Sequence, residues 1–271
     1  MECPFGARGI LAKLQTQPVR LGFRMKRRWR SEPDRQIHTT FNCTRGCCSK
    51  QFKLAARKAV MYGSARIHEH PPFRLVRRAP ALSVCTDDIQ RAHEAMCATI
   101  ASGGKLLFCG NGGSGADAEH WTGELLKGFC SKRVLGAADR ARLGEELASQ
   151  LQGGIAAIPL TGFLALHTAW QNDCNPDYIY AQLTYALGRP GDVLVGISTS
   201  GNSKNVCPAL ETANGLGMKT IALTGERGGR AAEIAQVAIR VPSNETYLIQ
   251  EMHLPVYHTL CLMMEDEFFP A

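Results

Sequence analysis

No stretch of eighteen consecutive apolar residues occurs in this 271-residue chain, which argues against a membrane-spanning helix. The N-terminus lacks the apolar core and small-residue cleavage pattern of a secretory signal. The eleven cysteines are odd in number and irregularly spaced, unlike the paired framework of a small secreted domain. Cys109, Cys174, Cys207 and Cys261 sit inside apolar segments, where a thiol behaves as a small hydrophobe. A reducing cytoplasm is the compartment this usage predicts. Cys43, Cys47 and Cys48 have no second half at zinc-finger spacing, so unpaired thiols are expected there rather than a structural metal. A G-x-x-x-x-G-K-[ST] loop is also missing, which argues against a nucleotide as ligand. Acidic residues are scarce in one part of the chain only. Residues 1–86 hold 18 Lys+Arg against 4 Asp+Glu and residues 87–271 hold 13 against 20, within a net charge of +7. The basic excess therefore belongs to the first third, and the remainder is acidic. No helix-turn-helix pattern accompanies that excess, so nucleic acid is not an expected partner.

Two regions emerge from this division. Residues 1–80 include RMKRRWRSEPDR and FRLVRRAP, which show no sustained helical or strand period. High positive charge with few acids predicts a solvated, disordered segment, dispensable for the folded domain. Order is expected to begin near Ala81, giving a domain over 81–271. There, apolar residues recur at Ile89, Ala92, Ala95, Met96 and Ile100, one face of a helix over Asp87–Ser102. KLLFC at Lys105–Cys109 is a short glycine-bounded apolar run and reads as a buried parallel strand. Similar strands are expected at Ile155–Pro159, Asp192–Ile197, Thr220–Thr224 and Val237–Val241. Helical patterns fall between them, and a long helix closes the chain from Glu245 to Phe268. Strands alternating with helices predict an α/β fold: one doubly wound, five-stranded parallel sheet covered by helices on both faces. Ligands of such a sheet bind at the carboxyl ends of its strands.

Two strand-to-helix junctions carry unusual sequences. CGNGGSGADAEH spans Cys109–His120, and GISTSGNSKN spans Gly196–Asn205. Small residues let backbone amides approach a ligand, and a helix N-terminus favours an anion. Ser198, Thr199, Ser200 and Ser203 add four hydroxyls, which suit a sugar phosphate held by neutral donors. A simpler role, in which serine caps and glycine turns, suffices for either loop alone. Two such loops at one sheet edge favour a ligand site.

His120 and Glu124 lie four residues apart, on one face of the helix after the first loop. Gln250 and His258 lie eight apart on the last helix, about 80° from each other, with His253 as a rival on a neighbouring face. Two imidazoles, a carboxylate and an amide oxygen could ligate zinc. Alone, each has a plainer role as a core or surface residue, and spacing does not show that the two helices meet.

Taken together, CGNGGSGADAEH, GISTSGNS and IQEMHLPVYH resemble the sugar isomerase (SIS) family, most closely its phosphoheptose isomerases, over about residues 81–271. The resemblance implies an aldose–ketose isomerase that interconverts sedoheptulose 7-phosphate and D-glycero-D-manno-heptose 7-phosphate through an enediol. It implies a homotetramer, with one zinc ion per subunit at His120, Glu124, Gln250 and His258. Glu124 and His258 become the acid/base pair. Asn111, Gly112, Gly113, Asn172, Asp173 and Gln250 become substrate contacts, and Ser198, Thr199, Ser200 and Ser203 the phosphate grip. Alternative roles within the family are a non-catalytic protein of the type that associates with a replication initiator, and a sugar-phosphate-sensing regulator. The retained set of His120, Glu124, Gln250 and His258 favours the enzyme. Three features depart from the pattern. ETYLI precedes Gln250 where many relatives have an acidic residue followed by Arg. Gly128–Gly154 is longer than in compact members, and its AADRARLGEELASQ piece is expected to form an extra helix. The family's first helix should precede Ala81, where no amphipathic helix is evident.

Overall fold

The computed structural model describes residues 70–270. The basic segment up to residue 69, with Cys43, Cys47 and Cys48, lies outside the described residues. Helices α1 (Pro71–Arg78) and α2 (Thr86–Ala101) lead into β1 (Leu106–Gly110) and α3 (Gly113–Leu126). Two short helices follow, α4 (Ala137–Leu143) and α5 (Glu145–Gln150), then β2 (Ala157–Pro159), α6 (Leu164–Asp173) and α7 (Ile179–Leu187). The second half runs β3 (Val193–Ser198), α8 (Val206–Gly215), β4 (Lys219–Thr224), α9 (Gly229–Ile234), β5 (Val237–Arg240) and α10 (Thr246–Phe268).

The five strands form one parallel sheet in the order β2-β1-β3-β4-β5. Leu106 pairs with both Ala157 and Val193, and Ile221 with Val237. Side chains alternate across each strand. Leu106, Phe108, Val195, Ile197 and Leu223 face one layer, with α2, α3 and α10. Leu107, Cys109, Leu194 and Ala222 face the other, with α7 and α8. Burial on both faces explains why the three central strands β1, β3 and β4 are continuous apolar runs rather than alternating ones. The chain leaves β1 towards β2 on one side and continues from β3 towards β5 on the other. The loops after β1 and β3 therefore flank the point where the winding reverses, the position at which such sheets bind ligands.

Strand and helix positions agree with the sequence pattern to within three residues. The charged piece of the 128–154 segment is two helices rather than one. Gly144, with φ of 81°, turns the chain between them. The onset of order at Ala81 needs correction. Helix α1 precedes it, opening on Pro71 and Pro72, whose fixed φ favours a helix start. Arg77 and Arg78 lie in its last turn, where cations complement the helix dipole. Only Pro71 and Leu75 of its eight residues are buried, against α10, and Arg74, Arg77 and Arg78 recur at helical spacing, a two-turn amphipathic pattern too short to read as a sustained period. Leu82 and Cys85, in a 3-10 turn at Pro80–Cys85, extend the same core.

The truncation point follows from this. A chain beginning at Pro80 loses the buried Leu75, worth about 1.5–3 kcal/mol. Its melting temperature should fall by about 3–12 °C relative to a chain beginning at Ala65. Calorimetry of both chains checks this, and equal melting temperatures would show that α1 contributes nothing.

Candidate functional site

The first loop leaves β1 at Gly110 and enters α3 at Gly113. At Gly113 the side-chain amide of Gln250 comes so close that an added methyl would collide with it. This contact shows that the start of α10 meets the first loop. Further along the two helices, Trp121 stacks on Tyr257 with ring centroids 5.5 Å apart and planes 18° from parallel. Both are fully buried. Their sequence neighbours His120 and His258 are thereby brought together, at a centroid distance of 5.3 Å.

A hydrogen-bonded chain orders the group. The Tyr257 hydroxyl donates to Oδ1 of Asp117 at 3.3 Å and lies 2.9 Å from Nδ1 of His120. The two ring nitrogens of His120 thus face the Tyr257 hydroxyl through Nδ1 and, through Nε2, Oε1 of Glu124 at 3.3 Å. The other oxygen of Glu124 accepts from Nζ of Lys127 at 2.7 Å. Lys127, with His120 in support, holds the Glu124 carboxyl below its usual range against a burial effect, so it is ionised at neutral pH. Burial first, then the neighbouring His120, lower the pKa of His258, which favours the neutral imidazole. Its Nε2 is buried without a hydrogen-bond partner. The rival His253 is fully buried on another face of α10, its pKa brought down to about 4 by that burial.

The donor types at His120, Glu124, Gln250 and His258 suit zinc, and the unpaired Nε2 of His258 is an atom a cation would satisfy. Their placement is looser. Among the described residues, no group of three or more His, Cys, Asp or Glu is drawn together closely enough to hold a metal ion.

The second loop is held by its own side chains. The hydroxyls of Ser198 and Ser203 lie 2.8 Å apart. Ser200 accepts the N–H of Asn202 at 3.1 Å, and the Thr199 carbonyl accepts that of Gly225 at 3.0 Å. Gly201 has φ of 67° and abuts Gly228, a place for no other residue. Helix α8 begins at Val206, and the Ser203 carbonyl accepts its first N–H groups. The two loops are tied by a reciprocal amide pair, Asn111 Nδ2 to Asn205 Oδ1 at 2.7 Å and Asn205 Nδ2 to Asn111 Oδ1 at 2.9 Å.

Between the loops opens a cleft of about 520 Å³, lined by Asn111, Gly112, Glu119, Tyr180 and Asn205 among others. Ser203 lines a neighbouring cleft of about 270 Å³ with Lys204 and Arg230. His120, Glu124, Gln250 and His258 line neither cleft, because they sit where α3 and α10 face each other. Asn172 and Asp173 bond each other at 2.8 Å at the exposed end of α6, also outside both linings. Asp117, Asn205 and Tyr257 went unnoticed in the sequence. Asn205 lies within the second motif, and Tyr257 adjoins His258, but only the folded chain shows what each one bonds.

The SIS domain family matches residues 80–150 and 141–225. The chain belongs to the SIS-domain family. Within it, the chain is similar to phosphoheptose isomerases. That of Rhodospirillum rubrum is 40% identical over 185 residues, covering 68% of this chain and 88% of that protein. The solved phosphoheptose isomerase of Neisseria gonorrhoeae is 33% identical, with a TM-score of 0.58 over 80% of this chain and 98% of its own. That of Francisella tularensis is 30% identical, with a TM-score of 0.60 over 81% and 100%.

Proposed function

We propose that the chain is an isomerase of sedoheptulose 7-phosphate and D-glycero-D-manno-heptose 7-phosphate, working through an enediol. The observation that carries this reading is the convergence of an ionised carboxylate, Glu124, and a neutral imidazole, His258, around His120 beside two hydroxyl- and amide-rich loops. The similarity to phosphoheptose isomerases supplies the substrate class.

The ketose carries its carbonyl at C2 and two hydrogens at C1. Glu124 takes one C1 proton, and the electron pair forms the C1–C2 double bond while the C2 oxygen gains a proton. The resulting enediol loses the C1 hydroxyl proton as a proton returns to C2, which leaves the aldose. His258 donates to the C2 oxygen from its minor imidazolium form, made a stronger acid by the lowered pKa, and takes the C1 hydroxyl proton back as the neutral imidazole its surroundings favour. Ser198, Thr199, Ser200 and Ser203 grip the phosphate. Asn111, Gly112, Gly113, Asn172, Asp173 and Gln250 contact the sugar, with Asn205 holding Asn111 in place.

Zinc bound by His120, Glu124, Gln250 and His258 belongs to the same proposal, and would polarise sugar oxygens. Metal analysis of protein purified without chelator should find one zinc per chain, and its absence would set this part aside. A homotetramer is supported by exposed apolar side chains such as Val134, Leu164 and Tyr185, which a second copy would cover. The free thiols among the described residues support a reducing cytoplasm. No helix among the described residues is long and apolar enough to cross a membrane.

Glu124→Gln should fold normally and lose about 10²- to 10⁴-fold in kcat, since the amide keeps the shape but cannot take the proton. Near wild-type turnover would remove Glu124 from the mechanism. Ser200→Ala deletes a hydrogen bond to a charged group, worth about 1.5–3 kcal/mol, and should raise KM about 10- to 150-fold with little change in kcat. Steady-state kinetics separates the two, because an unchanged KM with collapsed turnover would contradict a phosphate role.

A further inference from the structure

The carboxylate and the imidazole sit on different helices, and one buried ion pair reaches both. Arg133, in the segment after α3, has φ of 40°, left-handed for a residue with a side chain. Its side chain is fully buried. Nε donates to Oε1 of Glu265 at 2.7 Å. Nη1 donates to the carbonyl of Leu125 at 2.7 Å and Nη2 to that of Glu124 at 3.3 Å. The guanidinium lies 4.8 Å from the centre of the Phe269 ring. It therefore closes off the last carbonyls of α3, one of them belonging to the proposed base itself.

Glu265 completes the connection. It lies seven residues beyond His258 on α10, hence on nearly the same face of the helix. Besides Arg133 its carboxylate accepts three backbone N–H groups, from Phe129 at 2.9 Å, Cys130 at 2.8 Å and Ser131 at 3.0 Å. Phe129, whose main chain is held by the first of these, has its ring 5.2 Å from the His258 ring. Buried ion pairs often give no more stability than well-packed apolar residues of similar size. What this pair specifies is geometry, because its bonds end on the main chain of Glu124 and on the residue that flanks His258.

We infer that Arg133 and Glu265 are positioning residues that set the placement of Glu124 relative to His258 without touching the substrate. This rests on the isomerase reading above. Neither residue lines the clefts. A merely structural role would anchor the loop and leave turnover per folded molecule unchanged.

Arg133→Lys keeps the charge but offers one donor head in place of the fork, so it cannot serve Glu265 and both carbonyls at once. Glu265→Gln keeps the shape and removes the charge. The control is Leu210→Ala, in the core layer on the opposite face of the sheet. Kinetics on sedoheptulose 7-phosphate are measured where the melting curve of each variant shows it fully folded. Both clamp variants should lose about 10- to 100-fold in kcat, the cost of a small misplacement of reacting groups. Their KM should stay within about 3-fold, as for an interaction made in the transition state. Leu210→Ala should keep its turnover, and the double clamp variant should lose no more than the worse single, as for residues acting as a unit. Unchanged kcat in the folded clamp variants, or an equal loss in the control, overturns the inference. If one variant does not fold the other decides. If neither folds, the Arg133→Met/Glu265→Leu pair, which leaves no buried charge unpaired, decides on the same criteria. An inactive wild-type protein would instead sink the isomerase reading. The clamp is then judged from the His258 ring proton resonances, which Arg133→Lys must shift and which, if unmoved, overturn it.

Discussion

The arrangement of the site depends on the packing of Trp121 against Tyr257. These two rings fill the space between α3, α10 and the sheet, and each is fully buried with Phe108 of β1 at 4.9 Å from Trp121. Protein interiors are close-packed, so a stacked aromatic pair cannot slide by more than a fraction of a side chain. His120 and His258 are the next residues along the chain from these anchors. Their positions are therefore set by the core, and the polar chain through Tyr257 and Asp117 sets only their orientation. A functional group built this way costs little extra ordering, because hydrophobic burial has already fixed the helices that carry it.

The same economy appears at the sheet edge. Parallel pairing and reversal of winding between β1 and β3 place two loops side by side, and the Asn111–Asn205 amide pair locks them. Tyr180 adds a support from α7, donating to the carbonyl of Gly110 at 2.6 Å. Loop, helix and sheet thus converge on one end of the domain. The Arg133–Glu265 pair joins the far end of α3 to α10, so that both ends of the helix bearing the proposed base are held.

Much of this was legible in the sequence. Short apolar runs marked the five strands, and in β1, β3 and β4 burial on both faces leaves no room for polar alternation. The loops were visible as clusters of small and hydroxyl residues. Helix α1 was not, since its amphipathic pattern lasts only two turns and continues from a long basic segment without such a period. The partners of His120 were hidden for a different reason. Asp117 precedes it by three residues and Tyr257 follows it by more than a hundred, and only tertiary packing brings the second to the first. The ion pair between Arg133 and Glu265 was equally invisible, because a lone charge in a helix such as α10 ordinarily faces water.

The most direct measurement of the central claim is incubation of the purified protein with sedoheptulose 7-phosphate in heavy water, followed by proton NMR of the sugar. Proton transfer through an enediol predicts accumulation of D-glycero-D-manno-heptose 7-phosphate carrying solvent deuterium at C2. Recovery of the ketose unchanged, with no aldose and no exchange at C1, would contradict it.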